Sequence, residues 1–138
     1  MPLSCPDGSP LTGEALIAGA RLVELGSWSG KQWIPRAATE FDGWIASAAK
    51  TSFATLADGI RRYRDAGGTR AIVTNIAVDL DQPTTALADD APFHLRCGRQ
   101  AAAERLQRLA ALGFDDAILV RRTQTEAQLA ALRALVAA

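Results

Sequence analysis

The chain has 138 residues, 49% hydrophobic and 22% charged, with 15 basic against 15 acidic side chains and a pI near 6.6. This is the composition of one soluble globular domain, long enough to bury roughly two-thirds of its unfolded surface and so to fold without disulfides or metal. The neutral balance offers no basic field for nucleic acid or an anionic membrane, and neither partner is expected.

No apolar run approaches the ~18 residues of a membrane span. The opening MPLSCPDGSP has neither the basic nor the apolar stretch of a secretion signal, which points to the cytoplasm. Met1 to Pro10 read as an irregular lead to a single domain covering 1–138. Thr12 to Gly19 has the length of a short helix, and Arg21 to Leu25 reads as a strand running into Gly26. A helix is expected from about Pro35 to Phe41, because proline suits a first turn and Asp42-Gly43 stops the element. Trp44 to Ser47 has strand length. Thr51 and Ser52 supply an N-cap for a helix in which Phe53, Leu56, Ala57, Ile60 and Tyr63 recur at helical spacing, up to Gly67-Gly68.

Ala71 to Leu80 is rich in β-branched residues and is the strongest strand in the sequence. Alternation assigns Ile72, Thr74, Ile76, Val78 and Leu80 to one face and Ala71, Val73, Asn75, Ala77 and Asp79 to the other. Asp81 to Gly98 reads as a loop, long for a compact domain and therefore a mobile lid or binding loop. Leu106, Leu109 and Ala110 mark a helix closed by Gly113, and the strand Ala117 to Val120 follows. A Thr125/Gln128 capping pattern opens the last helix, with an apolar stripe of Leu129, Leu132, Leu135 and Val136. The order is βα repeated four times.

Such alternation implies a parallel sheet with right-handed crossovers, whose functional residues lie where strands lead into helices. Four stretches qualify: Gly26 to Gln32, Ser47 to Thr51, Leu80 to Gly98 and Arg121 to Thr125. In the first, GSWSGKQ, backbone N–H groups and hydroxyls can converge on an anion at a helix start; an ordinary connection is the competing reading. The second, SAAKTS, has the same construction. The only two lysines, Lys31 and Lys50, lie in these two loops, against thirteen arginines elsewhere, which favours an anion-binding function. Arg121 and Arg122 stand at the mouth of the last strand, where a guanidinium can pair a phosphate or carboxylate. Trp28 is placed in its turn to stack on a ligand, whereas Trp44 reads as core.

His94 is the only histidine, which excludes a two-histidine metal site; no metal is expected. It reads as a surface or hydrogen-bonded loop residue, with a general base as the alternative. Arg61, Arg62 and Arg64 read as a solvated helix face, Asn75 as the owner of a buried hydrogen bond, and Cys97 as an inert buried thiol. Cys5 and Cys97 are too few and too far apart for a disulfide framework; they read as free thiols, one long-range bridge being the alternative. No residue stands out as catalytic.

Two runs carry a family resemblance. Gly26 to Lys50, GSWSGKQWIPRAATEFDGWIASAAK, resembles the segment of the luciferase-like monooxygenase family in which a Gly/Ser turn after a barrel strand leads to a helix ending in Ala-Ala and then Asp-Gly-Trp. Phe93 to Val120, FHLRCGRQAAAERLQRLAALGFDDAILV, is similar to that family's late stretch, where a glycine opens a helix ending in Leu-Gly-Phe-Asp before the last strand. The runs occur in the family's order and, with the helix and strand between them, cover most of the chain from about Arg21. The turn is a residue or two longer here than the common family form.

The resemblance is to the second half of proteins about twice this length, and so implies four βα units forming half of a TIM-type barrel. It implies FMN or a deazaflavin coenzyme, its phosphate cradled by Gly26, Ser27, Ser29, Gly30 and Lys31. It places an anionic part of a small-molecule substrate at the loop Ser47 to Lys50, where a solvated Lys50 is the alternative. Most ring contacts and the usual catalytic side chains belong to the family's first half, so activity is expected only in an assembly. The outer strands, Arg21 to Leu25 and Ala117 to Val120, each leave an edge that a two-fold axis would join to the other subunit's, closing eight parallel strands in a homodimer. A separately encoded N-terminal half-barrel would serve the same purpose. The function expected is a flavin- or deazaflavin-dependent oxidoreductase transferring hydride or oxygen. The alternatives are a non-catalytic half-barrel remnant or one subunit of a split oxidoreductase.

Overall fold

The computed structural model describes residues 22–25, 33–121 and 125–137. The expected lead, the helix from Thr12 to Gly19 and Cys5 lie outside them. In chain order the elements are β1 (Leu22–Leu25), α1 (Trp33–Glu40), β2 (Gly43–Ser47), α2 (Phe53–Asp65), β3 (Ala71–Asp79), β4 (Leu95–Arg96), α3 (Arg99–Ala111), β5 (Asp116–Arg121) and α4 (Glu126–Ala137).

The sheet is built on β3, where β-branched residues favour extended backbone. All its pairings are parallel: β1 with β2, β2 with Ala71 to Thr74 of β3, β4 with Val78 and Asp79, and β5 with Ile72 to Val78. Because β5 overlaps the spans of both β2 and β4, it must hold one edge of β3 while β2 and β4 take successive stretches of the other. The long strands thus lie in chain order, β1-β2-β3-β5.

The alternation read from sequence breaks inside β3. Val73 and Ile76 pair with Ala117 and Leu119, three steps against two, and Asn75 between them has φ 58°. This bulge exchanges the faces beyond it. Ala71, Val73, Ile76 and Val78 therefore share one face and one core with Trp44 and Ala46, whereas strict alternation would have split them two and two. Asn75 itself is exposed, so its expected burial does not hold, although its hydrogen bond exists: Nδ2 donates to Ser47 Oγ at 3.0 Å.

All four described helices deliver residues to that same core, among them Ile34 and Ala37 of α1, Leu56, Ile60 and Tyr63 of α2, Ala102 and Leu109 of α3, and Leu132 and Leu135 of α4. On β5, Ile118 and Val120 alternate with core-side Leu119 and remain 50% and 49% exposed. The stripe expected on α4 is only half used, since Leu129 and Val136 are exposed. Trp44 is fully buried, its ring 5.3 Å from Tyr63 and 6.0 Å from Phe114, as expected for core.

Ser52 caps α2, its Oγ accepting from Thr55 N–H at 3.2 Å. The helix ends as Gly67 takes φ +92° and the Gly68 N–H reaches Tyr63 O at 2.9 Å, a glycine-dependent terminus. Arg64 departs from the expected solvated face. It donates to the carbonyls of Gly68, Thr69 and Gly113 at 3.1, 2.6 and 2.6 Å and to Asp115 at 3.0 Å, tying the end of α2 to the turn before β5. Arg61, in contrast, faces solvent beside Asp58 and Asp65.

The stretch Asp81 to Gly98 is not a detached loop. It contains β4, buries Phe93, Leu95 and Cys97, and is fastened at both sides: Cys97 N–H to Asp79 O at 3.1 Å, Phe93 N–H to Thr51 O at 3.0 Å, and Gly98 N–H to Thr84 Oγ1 at 2.9 Å. Arg105, itself buried, donates to Thr85 O at 2.6 Å and His94 O at 3.1 Å. A buried guanidinium satisfied by backbone carbonyls acts as a staple. Asp81 to Ala86 and Ala88 to Asp90 are exposed, as are Pro92 and Arg96.

Candidate functional site

The strands being parallel, their C-terminal ends share one side of the sheet. There β3 ends in a local turn: Asp79 Oδ1 accepts from Asp81 N–H at 3.1 Å, and its Oδ2 accepts from Gln82 Nε2 at 3.0 Å. Val78 is paired with Leu95 on one edge and Arg121 on the other, and Asp79 with Arg96. Arg96 and Arg121 therefore flank the end of β3, their backbones about 10 Å apart at ordinary strand spacing. Arg99 opens α3 three residues after Arg96.

Between this end and α4 lies a cleft of about 810 Å³, lined in part by Arg96, Arg99 and Arg121. Ala77, Leu80, Val120 and Leu132 give it an apolar wall, and Thr125 stands at its α4 side, Oγ1 accepting from the Gln128 N–H at 3.3 Å. That bond realises the N-cap expected from sequence. Asp79 and Asp81 also line the cleft, but both oxygens of Asp79 are engaged in its turn. Among the described residues none of the three arginines has an ion-pair partner, and Arg121 Nη1 is buried with no hydrogen-bond partner. A guanidinium nitrogen shut off from water and unpaired is costly, and an anion in the cleft would satisfy it.

Of the substrate-binding candidates, Arg121 lies in this cleft and Ser47 and Lys50 do not. Ser47 ends β2, its Oγ receiving Asn75 Nδ2 and, at 3.4 Å, the Ala49 N–H; Lys50 is exposed beyond it. The cofactor-binding candidates Gly26, Ser27, Trp28, Ser29, Gly30 and Lys31 lie outside the described residues. Arg96 and Arg99 escaped the sequence reading because β4, two residues long, has no periodicity to reveal it. Only the spacing of two arginines across a helix-opening glycine hinted at them.

His94 is not in the cleft. Its Nδ1 accepts from the Arg96 N–H at 3.0 Å, so the neutral ring carries its proton on Nε2. Burial first, then Arg105 and Arg96, hold its pKa below the usual histidine value. It helps shape β4, as a hydrogen-bonded loop residue, and is not placed as a base for the cleft. Cys97 is a free thiol, fully buried, and burial pushes its pKa up, as an inert thiol requires.

Among the described residues no group of three His, Cys, Asp or Glu could hold a metal ion, and no helix is long and apolar enough to cross a membrane. No protein-family model matches the chain, and no curated protein sequence matches it.

Proposed function

We propose that this chain is a luciferase-like half-barrel that binds FMN or a deazaflavin at the C-terminal ends of its strands and works as an assembly, most simply a homodimer. The observation that carries the reading is the strand order: β1, β2, β3 and β5 run parallel in chain order, and every described helix feeds one core. Consecutive βα units of a barrel have that arrangement, with ligands at the C-terminal ends of the strands. The open cleft at those ends is of ligand-holding size.

In this reading Gly26 to Lys31 anchor the cofactor phosphate, Arg121 faces the substrate in the cleft, and Ser47 and Lys50 stand outside it at the end of β2. The apolar wall of Ala77, Val120 and Leu132 gives the uncharged part of a ligand a surface to pack on. The bound flavin supplies hydride or oxygen transfer; the chain binds, orients and desolvates. Ile118 and Val120, half-exposed on β5, become covered when a second copy closes the sheet.

Titration of FMN, and separately of a deazaflavin, into the wild type and Gly30→Asp tests the reading. Saturable binding by the wild type and a loss of tenfold or more in Gly30→Asp are expected, because a carboxylate would stand where the phosphate docks. No binding of either coenzyme, or equal affinities in the two proteins, overturns it.

A further inference from the structure

We propose that Arg96, Arg99 and Arg121 form a second anion subsite, apart from the Gly/Ser turn, that takes the phosphate of a small phosphate monoester with an apolar body. This deepens the proposed function by naming a substrate class, and rests on it only for the reaction; binding at the subsite stands by itself. Three arginines from three elements, β4, α3 and β5, line one cleft. The three guanidiniums outnumber the two carboxylates that line the same cleft, Asp79 and Asp81, and an anion would balance the surplus positive charge. Arg121 supplies the sharpest sign, its Nη1 buried and unpartnered at the end of the strand.

A dianion fits three guanidiniums better than a single carboxylate does, since each planar fork can direct two N–H groups to separate phosphate oxygens. The start of α4, capped by Thr125, turns the positive end of its helix dipole to the same side, with Glu126 in its first turn as the opposing charge. An inorganic ion would fill a small part of about 810 Å³. The remainder is walled by Ala77, Leu80, Val120 and Leu132, which suits an apolar group carried by the phosphate.

Calorimetric titration of the whole chain with phenyl phosphate, inorganic phosphate and benzoate tests the subsite. The wild type is expected to bind phenyl phosphate more tightly than either of the others. Arg121→Gln should weaken it about tenfold or more, the loss of one charged hydrogen-bonding pair. The double variant Arg96→Gln/Arg99→Gln should do the same; both residues are exposed, so this variant keeps its fold and decides the matter if Arg121→Gln does not. Gly30→Asp should leave phenyl phosphate affinity unchanged, even where it abolishes flavin binding. Undetectable phenyl phosphate binding overturns the subsite, as does equal affinity in wild type and arginine variants. Benzoate binding as tightly as phenyl phosphate, or a loss confined to Gly30→Asp, overturns it too.

Discussion

The side-chain amide of Asn75 donates to Ser47 Oγ at 3.0 Å across the β2–β3 pair, from the one described non-glycine residue with positive φ, 58°. Asparagine tolerates that conformation, and the bond holds it there. Asn75→Val should cost about 2 kcal/mol, the sum of left-handed strain and a lost hydrogen bond. Asn75→Gly, which keeps the backbone and loses only the bond, should cost about 1 kcal/mol or less. Urea unfolding of both variants reads the difference. Equal costs would mean that the bulge does not depend on the left-handed residue.

Arg64 and Asp115 join the end of α2 to the start of β5. The Ala71 N–H, at 2.8 Å, and then Arg64 hold the Asp115 carboxyl below the usual carboxylate range. A lowered folded pKa means stability that is present above the ordinary value, ~4, and is lost as pH falls through the folded one. Asp115→Asn should therefore flatten the acid limb of a plot of stability against pH. Arg64→Ala should cost about 2 kcal/mol at neutral pH, because it leaves several carbonyls with one donor fewer. An unchanged acid limb in Asp115→Asn would contradict the assignment.

His94 works in the same direction at a higher pH. Its folded pKa lies below the ordinary ~6.5, so its contribution is present above that value and is lost as the medium is acidified through the folded value. His94→Gln should reduce the fall in Tm between about pH 7 and pH 5. A fall as steep as that of the wild type would remove His94 from the account of β4.

Gly68 has no room for a side chain, since a Cβ there would collide with Cε1 and Cζ of the fully buried Tyr63 ring. The ring cannot swing aside: it packs on Trp44, and its hydroxyl donates to Arg70 O at 2.8 Å. Gly68→Ala should cost about 1–3 kcal/mol by overpacking, and more if the ring is displaced from Trp44. Near-ultraviolet circular dichroism of the aromatic cluster would report the displacement. A fully stable variant with an unchanged spectrum would contradict the contact.

The four long strands and the four described helices were legible because each carries a period and a stop. Ser52 and Thr125 cap where expected, and Gly67 and Gly113, both at positive φ, end their helices. The faces of β3 were not legible, because alternation assumes an unbroken ladder and one left-handed Asn75 exchanges the faces beyond it. β4 was invisible for a different reason: its two residues are held between flanking bonds to distant parts of the chain, Cys97 N–H to Asp79 O and Arg105 to His94 O, which leave no local pattern. With β4 unseen, Arg96 and Arg99 could not be brought beside Arg121. Arg64 shows the limit of reading a charged helix face, since its partners at Gly113 and Asp115 are about fifty residues away in the chain.

The proposed cofactor-binding half-barrel, working as an assembly, is tested most directly by light scattering of the wild-type chain eluting in saturating FMN or deazaflavin. Mass and bound coenzyme are read from one peak. A homodimer with bound coenzyme would elute at twice the 14.6 kDa of the chain, with coenzyme absorbance travelling in the same peak. A well-behaved 14.6 kDa species that carries no coenzyme would contradict it.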